Sequence, residues 1–396
     1  MFESFSPAEP DSILELMGLY RDDPRSAKVD LGVGVYKDEQ GRTPIMSAVR
    51  RAQARLLVEQ TTKTYLGSAG DTVFNSRMIE LLFGHETDGA RLCSCQTPGG
   101  SGALRTLIEL LASSRSGATV WIPDPSWPNH AAVVAAARAN LRTYPYVDPA
   151  TNELRFEEMI EALKAANPGD VVLLHGCCHN PTGVDLDLSQ WTLLTELLAG
   201  RELFPLVDMA YQGFGDGLEE DAAGLRKLAA IVPELGVAAS CSKNFGVYRD
   251  RVGVAALLGR NAEETEKAFG QLLGKVRTMY SMPPDHGAAV VRIVLEDPSL
   301  RGDWTDELEE MRRRIVNLRS GFAAALRHQT NTDRYDFIAH QRGMFSRIGA
   351  TREQVDRLRS DYAVYIGRDG RINMAGLPEH RLDELSIAFA SVLDRS

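Results

Sequence analysis

The chain has 396 residues, of which 44% are hydrophobic and 25% are charged. This is an average globular composition, and it excludes a disordered, collagen-like or coiled-coil protein. Lysine and arginine number 44 against 54 aspartate and glutamate residues, and the net charge of −10 argues against a nucleic-acid binder. At roughly 150 residues per domain, the length predicts two or three domains.

The cysteines and the N-terminus indicate the compartment. There are five cysteines, an odd number without a Cys-x-x-Cys pair, which is typical of a reduced intracellular protein. The first twelve residues carry acid and proline in place of a basic start and an apolar stretch, so they do not form a signal peptide. Apolar runs such as 252–259 are too short to cross a membrane. We therefore expect a cytoplasmic protein with no membrane partner.

The N-terminal segment predicts an arm followed by a short helix. Residues 1–10 contain two prolines and no apolar period. Apolar residues then recur at helical spacing from Ile13 to Tyr20, after Asp11 or Ser12 as the starting residue.

Five short apolar runs in the middle of the chain predict strands, with helical patterns such as 188–198 between some of them. The runs are 119–122, 171–174, 204–207, 236–240 and 252–258. Continuous apolar strands that alternate with helices indicate a parallel sheet covered on both faces. In such sheets the chemistry lies at the carboxyl ends of strands. Asp124, Asn180, Asp208 and Lys243 all fall at such ends.

The pattern changes after residue 300. Residues 303–328 predict one long helix, and the mixed charges from Glu309 to Arg314 are typical of a solvated helix face. Shorter elements follow to Ser396. These residues alone predict a second, smaller domain at the C-terminal end.

Several cofactor and metal motifs are absent from the chain. The glycines at 99, 100 and 102 have the wrong spacing for a dinucleotide fingerprint, and neither a Walker-type loop nor an HExxH motif is present. The His175-Gly-Cys-Cys-His179 segment could suggest a metal. It lacks a second Cys/His pair, however, and neighbours on a strand point to opposite faces. We therefore predict no metal site.

Two segments could hold a phosphate. The glycine-rich segment 96–105 runs into a predicted helix whose free N–H groups suit an anion, although a tight turn explains it equally well. Ser240 and Ser242 flank Lys243, and Arg251 follows eight positions later. Two hydroxyls and a guanidinium can hold a phosphate and leave the amine free for a Schiff base. An exposed lysine at a strand end is the ordinary alternative.

Two further positions could orient a ring. Asp208 ends an apolar strand and could cap a helix or pair with a buried cation, with Tyr211 three residues later. The segment Asn180-Pro-Thr-Gly183 could be an ordinary turn that also aims the Asn180 amide. Together with the phosphate donors and Lys243, these residues meet the four requirements of a pyridine-aldehyde cofactor. The combination is far more specific than any one of its members.

Matching motifs run nearly end to end along the chain. They are Leu31-Gly-Val-Gly-Val-Tyr-Lys37, Thr64-Tyr-Leu-Gly67, the Gly99 loop, Pro125-Ser-Trp-Pro-Asn-His130, 175–183, 208–215, 240–246 and Gly343-Met-Phe-Ser346. On these motifs the sequence resembles the class I pyridoxal-phosphate-dependent aminotransferases, in the aspartate and aromatic amino acid branch. Through 175–179, 239–243 and 344–347 it is most similar to the bacterial aromatic amino acid aminotransferases.

The resemblance implies an α/β fold, the fold type I of pyridoxal-phosphate-dependent transferases. A mainly parallel central sheet covered by helices would form a large domain over residues 44–310. A smaller α/β domain would combine residues 11–43 with 311–396, after an arm at 1–10, so that both ends of the chain contribute to it. The resemblance also implies a homodimer with active sites at the subunit interface, and small-molecule rather than nucleic-acid partners.

The resemblance further implies roles around the cofactor, pyridoxal 5'-phosphate. Lys243 would form the Schiff base and later move the proton. Asp208 would keep the pyridine nitrogen protonated, with His130 behind it, while Asn180 and Tyr211 would bond the ring oxygen. The phosphate would be bound by Gly100, Ser101, Ser240, Ser242, Arg251 and Tyr65 of the partner subunit.

The implied substrate site combines a stacking ring with two arginines. Trp127 would stack on the cofactor ring. Arg371 would bind the substrate α-carboxylate, helped by Asn180 and the Gly34 backbone, because its planar fork bonds both oxygens. Arg277 of the partner subunit would meet a distal carboxylate.

The implied reaction is ping-pong transfer of amino groups from aromatic and dicarboxylic amino acids to 2-oxo acids such as 2-oxoglutarate. An aromatic substrate leaves Arg277 unpaired, which is costly unless that side chain swings out to solvent. Met282 and Arg347 depart from the aspartate pattern, and the thioether of Met282 tolerates ring contact. We therefore expect dual specificity. An aspartate aminotransferase, a catalytically silent cofactor-binding protein and a zinc hydrolase built on 175–179 are the alternatives.

Overall fold

The strands form a central sheet and two small pairs. The computed structural model describes residues 2–6, 12–115 and 117–393. Its strands are β1 (Val29–Asp30), β2 (Leu92–Pro98), β3 (Thr119–Asp124), β4 (Asn140–Pro145), β5 (Val171–His175), β6 (Phe204–Met209), β7 (Leu235–Ser240), β8 (Val252–Leu258), β9 (Phe345–Arg347), β10 (Val364–Tyr365) and β11 (Arg371–Asn373).

The central sheet has the strand order β2-β8-β7-β6-β5-β3-β4. Strand β8 runs antiparallel to both of its neighbours, and the remaining pairs of the sheet are parallel. The prediction of a mainly parallel sheet is therefore confirmed. The two small pairs are parallel β1–β10 and antiparallel β9–β11.

All five apolar runs predicted as strands lie in this sheet, as β3, β5, β6, β7 and β8. The prediction missed β2 and β4. Strand β4 lies at the sheet edge with mostly exposed side chains, and β2 contains Ser94, Gln96 and Thr97. Neither strand therefore forms the continuous apolar run from which the other five were predicted.

Helices cover the sheet and build the second part of the molecule. They are α1 (Ser12–Asp22), α2 (Ser47–Glu59), α3 (Thr72–Phe83), α4 (Gly99–Ser114), α5 (Pro128–Ala136), α6 (Phe156–Lys164), α7 (Leu188–Gly200), α8 (Ala223–Ile231), α9 (Ala262–Met279), α10 (Asp285–Glu296), α11 (Pro298–Thr330), α12 (Phe337–His340), α13 (Arg352–Tyr362) and α14 (Leu382–Leu393). Within the described ranges, no helix is long and apolar enough to span a membrane.

The helices predicted from periodicity are present. Helix α1 begins at Ser12, and α7 and α11 contain the predicted ranges. Helix α11 is longer than predicted because Asp297 caps its start by accepting from the N–H groups of Ser299 and Leu300, and a left-handed Asn331 ends it. Of the predicted arm at 1–10, only residues 2–6 belong to the described part of the chain, with a short 3₁₀ turn at Phe2–Ser4.

The apolar cores divide along helix α11. Its first half, from Leu300 to Ile315, packs into the cluster on one face of the central sheet, and a separate cluster covers the other face. Its second half, from Leu318, packs with Val29, with β10 and with helices α13 and α14. Segments from both ends of the chain thus share one core. The domain boundaries at 43/44 and 310/311 stay a prediction.

The sheet topology positions the polar residues of interest. Because β8 alone is reversed, β2, β3, β5, β6 and β7 all end at the same edge of the sheet. Helix α4 starts there directly after β2, and Lys243 follows β7 by three residues. Asp208 is paired in register with His175 on one side and Ala238 on the other.

Candidate active site

A cavity of about 270 Å³ opens at the carboxyl edge of the sheet. It is lined by most of the residues predicted from the sequence, namely Gly34, Gly100, Ser101, Trp127, Asn180, Asp208, Tyr211, Ser240, Ser242, Lys243, Arg251 and Arg371. Segments that are far apart in the sequence therefore meet in one place, as expected for strand ends of a mainly parallel sheet.

One end of the cavity is suited to an anion. Helix α4 begins at Gly99 without a side-chain cap, so its first N–H groups stay available. Gly99 has φ +73°, and a Cβ atom there would lie 2.5 Å from Nη2 of Arg251. The Arg251 guanidinium also donates to Ser242 Oγ at 3.4 Å. Glycine at position 99 therefore lets the helix start and a cation converge.

Lys243 lies in the cavity, with Nζ 4.5 Å from the centre of the Tyr211 ring. Burial lowers the pKa of this lysine to about 8, and the charges of Arg251 and Arg371 act in the same direction against the opposing effect of Asp208. Near neutral pH its amine is therefore neutral far more often than that of an exposed lysine. A neutral amine is what a nucleophile or a general base requires.

Asp208 is buried on the floor of the cavity and bonds to a histidine behind it. Its Oδ2 atom lies 2.9 Å from Nε2 of His130, whose Nδ1 lies 2.8 Å from Ser126 Oγ. Burial by itself would raise the pKa of Asp208, but the His130 hydrogen bond and the surrounding positive charge outweigh it and lower the pKa. The carboxylate therefore stays negative and can stabilise a cation placed against it.

Asn180, Tyr211 and Arg371 form a connected group that also lines the cavity. Asn180 Nδ2 lies 3.4 Å from the Tyr211 hydroxyl, and Arg371 Nη1 donates to Asn180 Oδ1 at 3.1 Å. Arg371 Nη2 donates to the carbonyl of Gly32 at 3.1 Å. Arg371 is buried, and among the described residues its guanidinium donates to the Asn180 amide oxygen and the Gly32 carbonyl, with no carboxylate partner. A buried guanidinium without an anionic partner is suited to receive one.

Tyr65 and Arg277 lie outside the cavity of this chain. The Tyr65 side chain is 87% exposed. Arg277 lies in the last turn of α9, is exposed, and bonds to Ser281 Oγ. The backbone N–H of Leu66 meets the sulfur of Met282 at 3.0 Å, so the segments carrying the two residues are in contact. Their assignment to the site of a partner subunit stays a prediction.

Comparison with known proteins decides the family. Residues 26–389 match the family model described as aminotransferase class I and II. The chain belongs to this family. The aminotransferase is 47% identical to the aromatic-amino-acid aminotransferase of Paracoccus denitrificans, over 99% of this chain and 100% of the relative. It is 46% identical to the aspartate aminotransferase of Escherichia coli (strain K12), with the same coverage.

Solved structures agree with the fold of this aminotransferase. The aromatic-amino-acid aminotransferase from Burkholderia pseudomallei, covalently bound to pyridoxal phosphate, superposes with a TM-score of 0.96. It is 40% identical, and the match covers 99% of each chain. The predicted fold type I is confirmed. The protein is a pyridoxal-phosphate-dependent transaminase that acts on amino acids and 2-oxo acids.

The residues of the aminotransferase fit pyridoxal 5'-phosphate. The uncapped start of α4, the Ser242 hydroxyl and the Arg251 guanidinium offer neutral and positive donors for a phosphate. Lys243 offers an amine of lowered pKa, and Asp208 offers a buried negative charge. These three features match the three polar ends of the cofactor.

Several cavity residues of the aminotransferase were not predicted as site residues. They are Ile13, Leu104, His175, Ala210, Tyr248 and Phe345. Phe345 and His175 belong to motifs noted in the sequence, and Tyr248 belongs to the segment that leads to Arg251, so proximity to those motifs was an available signal. Ile13 was noted only as an apolar position of α1, and nothing local separates it from an ordinary helix face.

The two histidines of the segment 175–179 stack with neighbouring rings. His175 packs against the rings of His130 and His179, with centroids 5.0 and 4.2 Å away, and burial lowers its pKa to about 3. Within the described ranges, the side chains close enough to share a metal are Cys177 and Cys178, which belong to the same segment, and Asp221. Hydrogen bonding with Cys178 and burial raise the pKa of the Cys177 thiol. The family match, and not this cluster, decides against the zinc hydrolase alternative.

Proposed function

We propose that this aminotransferase accepts both aromatic and dicarboxylic amino acids and passes the amino group to 2-oxo acids. The observation that carries the proposal is the charge distribution of the cavity. Arg371 is free to receive the α-carboxylate, while Ile13, Leu104 and Trp127 offer apolar surface. A distal carboxylate would need a further cation, and Arg277 of the partner subunit supplies it.

The aspartate and aromatic relatives support this range equally. The chain is 47% identical to an enzyme named for aromatic amino acids and 46% identical to one named for aspartate, so similarity favours neither. A specific aspartate aminotransferase is therefore the second candidate function. It requires that Arg277 keep its charge in the site whatever substrate is bound.

Lys243 and Asp208 carry the chemical step in this proposal. When bound, pyridoxal 5'-phosphate supplies an electron sink for the bonds at the substrate α-carbon. The Lys243 amine, with its pKa of about 8, would take the proton from that carbon and hold it on Nζ for the later transfer. Asp208 keeps a negative charge against the ring nitrogen, and His130 orients that carboxylate.

The remaining cavity residues position the reactants. Gly100, Ser101, Ser240, Ser242 and Arg251 hold the phosphate, and Trp127 covers the ring. Asn180 bonds both Tyr211 and Arg371, which couples the group facing the ring oxygen to the group facing the substrate carboxylate.

The proposed enzyme is a homodimer whose subunits share active sites. Several apolar side chains are strongly exposed in one chain, including Leu57 at 85%, Val58 at 82% and Tyr65 at 87%. Such surface is typical of an interface rather than of a solvated face. Leu57 and Val58 precede Tyr65 closely in the sequence, which supports a partner subunit that covers these side chains and receives Tyr65 and Arg277. All five cysteines are free thiols, which supports the cytoplasmic location.

The test is the half-reaction of the purified holoenzyme. The absorption band of the bound cofactor is followed after addition of aspartate or phenylalanine in separate experiments. Conversion by both at comparable efficiency is the expected result. Conversion by aspartate alone would identify an aspartate aminotransferase. A cofactor band that no amino acid changes would contradict the proposed chemistry.

A further inference from the structure

Phe345 occupies an unusual position in the cavity. Its ring faces the guanidinium of Arg371, with Cζ of the arginine 4.4 Å from the ring centre. The same ring meets Tyr211 edge to face, at 6.0 Å between centroids and 86° between planes. Phe345 is buried and lines the cavity beside both residues. It therefore touches both the carboxylate-binding and the hydroxyl-bearing side chains.

Two hydrogen bonds and one ring contact hold the Arg371 guanidinium. Two hydrogen bonds, to Asn180 Oδ1 and to the Gly32 carbonyl, use two of its five N–H donors. Those bonds lie in the plane of the guanidinium, so they do not by themselves prevent tilting about an in-plane axis. The Phe345 ring adds a contact to the guanidinium carbon at 4.4 Å, and a cation over an aromatic ring is attracted to it.

The backbone around Phe345 is held firmly. Phe345 pairs with Asn373 in the short antiparallel pair β9–β11, which also contains Arg371. The buried guanidinium of Arg319 donates to the carbonyls of Phe345 and Gly343. The ring and the arginine that it faces are therefore carried by one small pair of strands, which keeps their separation constant.

The small residue at Gly34 completes this arrangement. A Cβ atom at Gly34 would lie 2.7 Å from Cζ of Phe345, closer than side-chain carbons approach. Glycine therefore allows the loop that carries Gly34 to lie directly against the ring edge. The ring fills the space between this loop, Tyr211 and Arg371, and it has little room to turn away.

We propose that Phe345 is a positioning residue, which holds the Arg371 guanidinium in the plane that receives the substrate α-carboxylate. This inference rests on the proposed role of Arg371. A planar fork binds a carboxylate through two bonds only when both N–H groups point at it, so loss of the ring contact weakens binding of the carboxylate. A substrate without an α-carboxylate makes no use of this positioning, so its conversion should respond far less to the loss of the ring.

The experiment compares ligands that differ in the α-carboxylate. Holoenzyme carrying Phe345→Leu is titrated with 3-phenylpropionate, and its half-reaction is timed with phenylalanine and with 2-phenylethylamine, which lacks the carboxylate. We expect the dissociation constant of 3-phenylpropionate to rise about 5- to 30-fold, the range of a desolvated cation–π contact. The rate with 2-phenylethylamine stays within twofold of wild type, roughly the resolution of such comparisons.

Controls separate this role from a general packing defect. Phe322 is buried in the other core, edge to face with Phe389, and Phe322→Leu makes the same change away from the cavity. Phe322→Leu should leave both the binding of 3-phenylpropionate and the ratio of the rates with phenylalanine and 2-phenylethylamine unchanged. Should Phe345→Leu yield no folded holoenzyme, Phe345→Met provides an unbranched apolar side chain that adapts to the vacated space and allows the same measurement.

Arg371→Lys distinguishes failure of this inference from failure of the proposed function. Lysine lacks the planar fork, so Phe345→Leu should raise the dissociation constant of 3-phenylpropionate by a smaller factor in the Arg371→Lys background than in wild type. If Arg371→Lys weakens 3-phenylpropionate while Phe345→Leu does not, the positioning role is wrong and the carboxylate site stands. If Arg371→Lys leaves 3-phenylpropionate binding unchanged, the carboxylate assignment itself is wrong, and this inference falls with it.

Discussion

His130 Nε2 lies 2.9 Å from Oδ2 of Asp208, and both side chains are buried beneath the cavity. The second imidazole nitrogen is bonded to Ser126 Oγ, so the ring is fixed at both ends. A carboxylate oriented in this way keeps its charge in spite of burial. This pair determines which charge the floor of the site presents to a cofactor.

Asp208→Asn removes that charge and keeps the shape. We expect the variant to retain pyridoxal 5'-phosphate, because the phosphate donors are unchanged, and to convert amino acids about 10²- to 10³-fold more slowly. Stopped-flow absorbance of the half-reaction measures the effect. Asp170→Asn is the matched control, since Asp170 is a buried carboxylate bonded to Trp121 Nε1 at the start of β5, away from the cavity. A normal rate in Asp208→Asn would remove Asp208 from the proposed role.

The lowered pKa of Lys243 predicts how the apoenzyme takes up its cofactor. Attack on the cofactor aldehyde needs the neutral amine, so the rate of uptake should rise with pH and level off above about 8. Rapid mixing of apoenzyme with excess pyridoxal 5'-phosphate between pH 6 and 9.5 measures the profile. Arg371→Leu removes one of the cations that lower this pKa and should move the inflection to higher pH. A flat profile would contradict the assignment of Lys243 as the attacking amine.

The same lysine predicts a pH-dependent stability of the apoenzyme. Its pKa is about 8 in the folded protein against 10.5 for the ordinary side chain, so the unfolded chain binds the proton more tightly. Burial of the charged Lys243 amine therefore lowers the free energy of unfolding by its full amount below pH 8. This destabilisation becomes smaller as the pH rises towards 10.5. Lys243→Met should therefore be more stable than wild-type apoenzyme at pH 7, with a smaller difference at pH 9.5. Urea unfolding at both pH values measures the free energy of unfolding of the two proteins. A stability difference that grows with pH would contradict the lowered pKa of Lys243.

Mixed dimers test whether Arg277 acts across the subunit interface. Lys243→Ala homodimers should be inactive, and Arg277→Leu homodimers should lose about 30-fold or more of their efficiency with aspartate while still converting phenylalanine. In an equal mixture, half of the dimers are mixed and each has one intact site, so about a quarter of the wild-type aspartate activity should return. Lys267→Met, an exposed cation on the same helix α9, is the control for loss of charge. Activity no higher than that of the separate homodimers would place Arg277 in its own subunit's site.

Much of the site was predictable because strand ends are a local signal. Each apolar run marked a strand of the sheet, and the polar residue after it marked the functional edge, as for Asp208 and Lys243. The same rule explains which strands and site residues the sequence analysis missed. An exposed edge strand such as β4 has no apolar run, and Phe345 resembles any core aromatic until its neighbours are known.

The sequence by itself determined the composition, the strand-and-helix alternation and the choice of proposed reactive groups, because these depend on local spacing and on residue chemistry. Only the tertiary structure decided how the groups meet. Arg371 reaches Asn180 across 191 positions of the chain, and Phe345 reaches Tyr211 and Gly34 from a different segment. No local pattern encodes such contacts, because they depend on how the two cores pack against each other along α11. The lowered pKa of Lys243 has the same origin, since burial and distant arginines produce it.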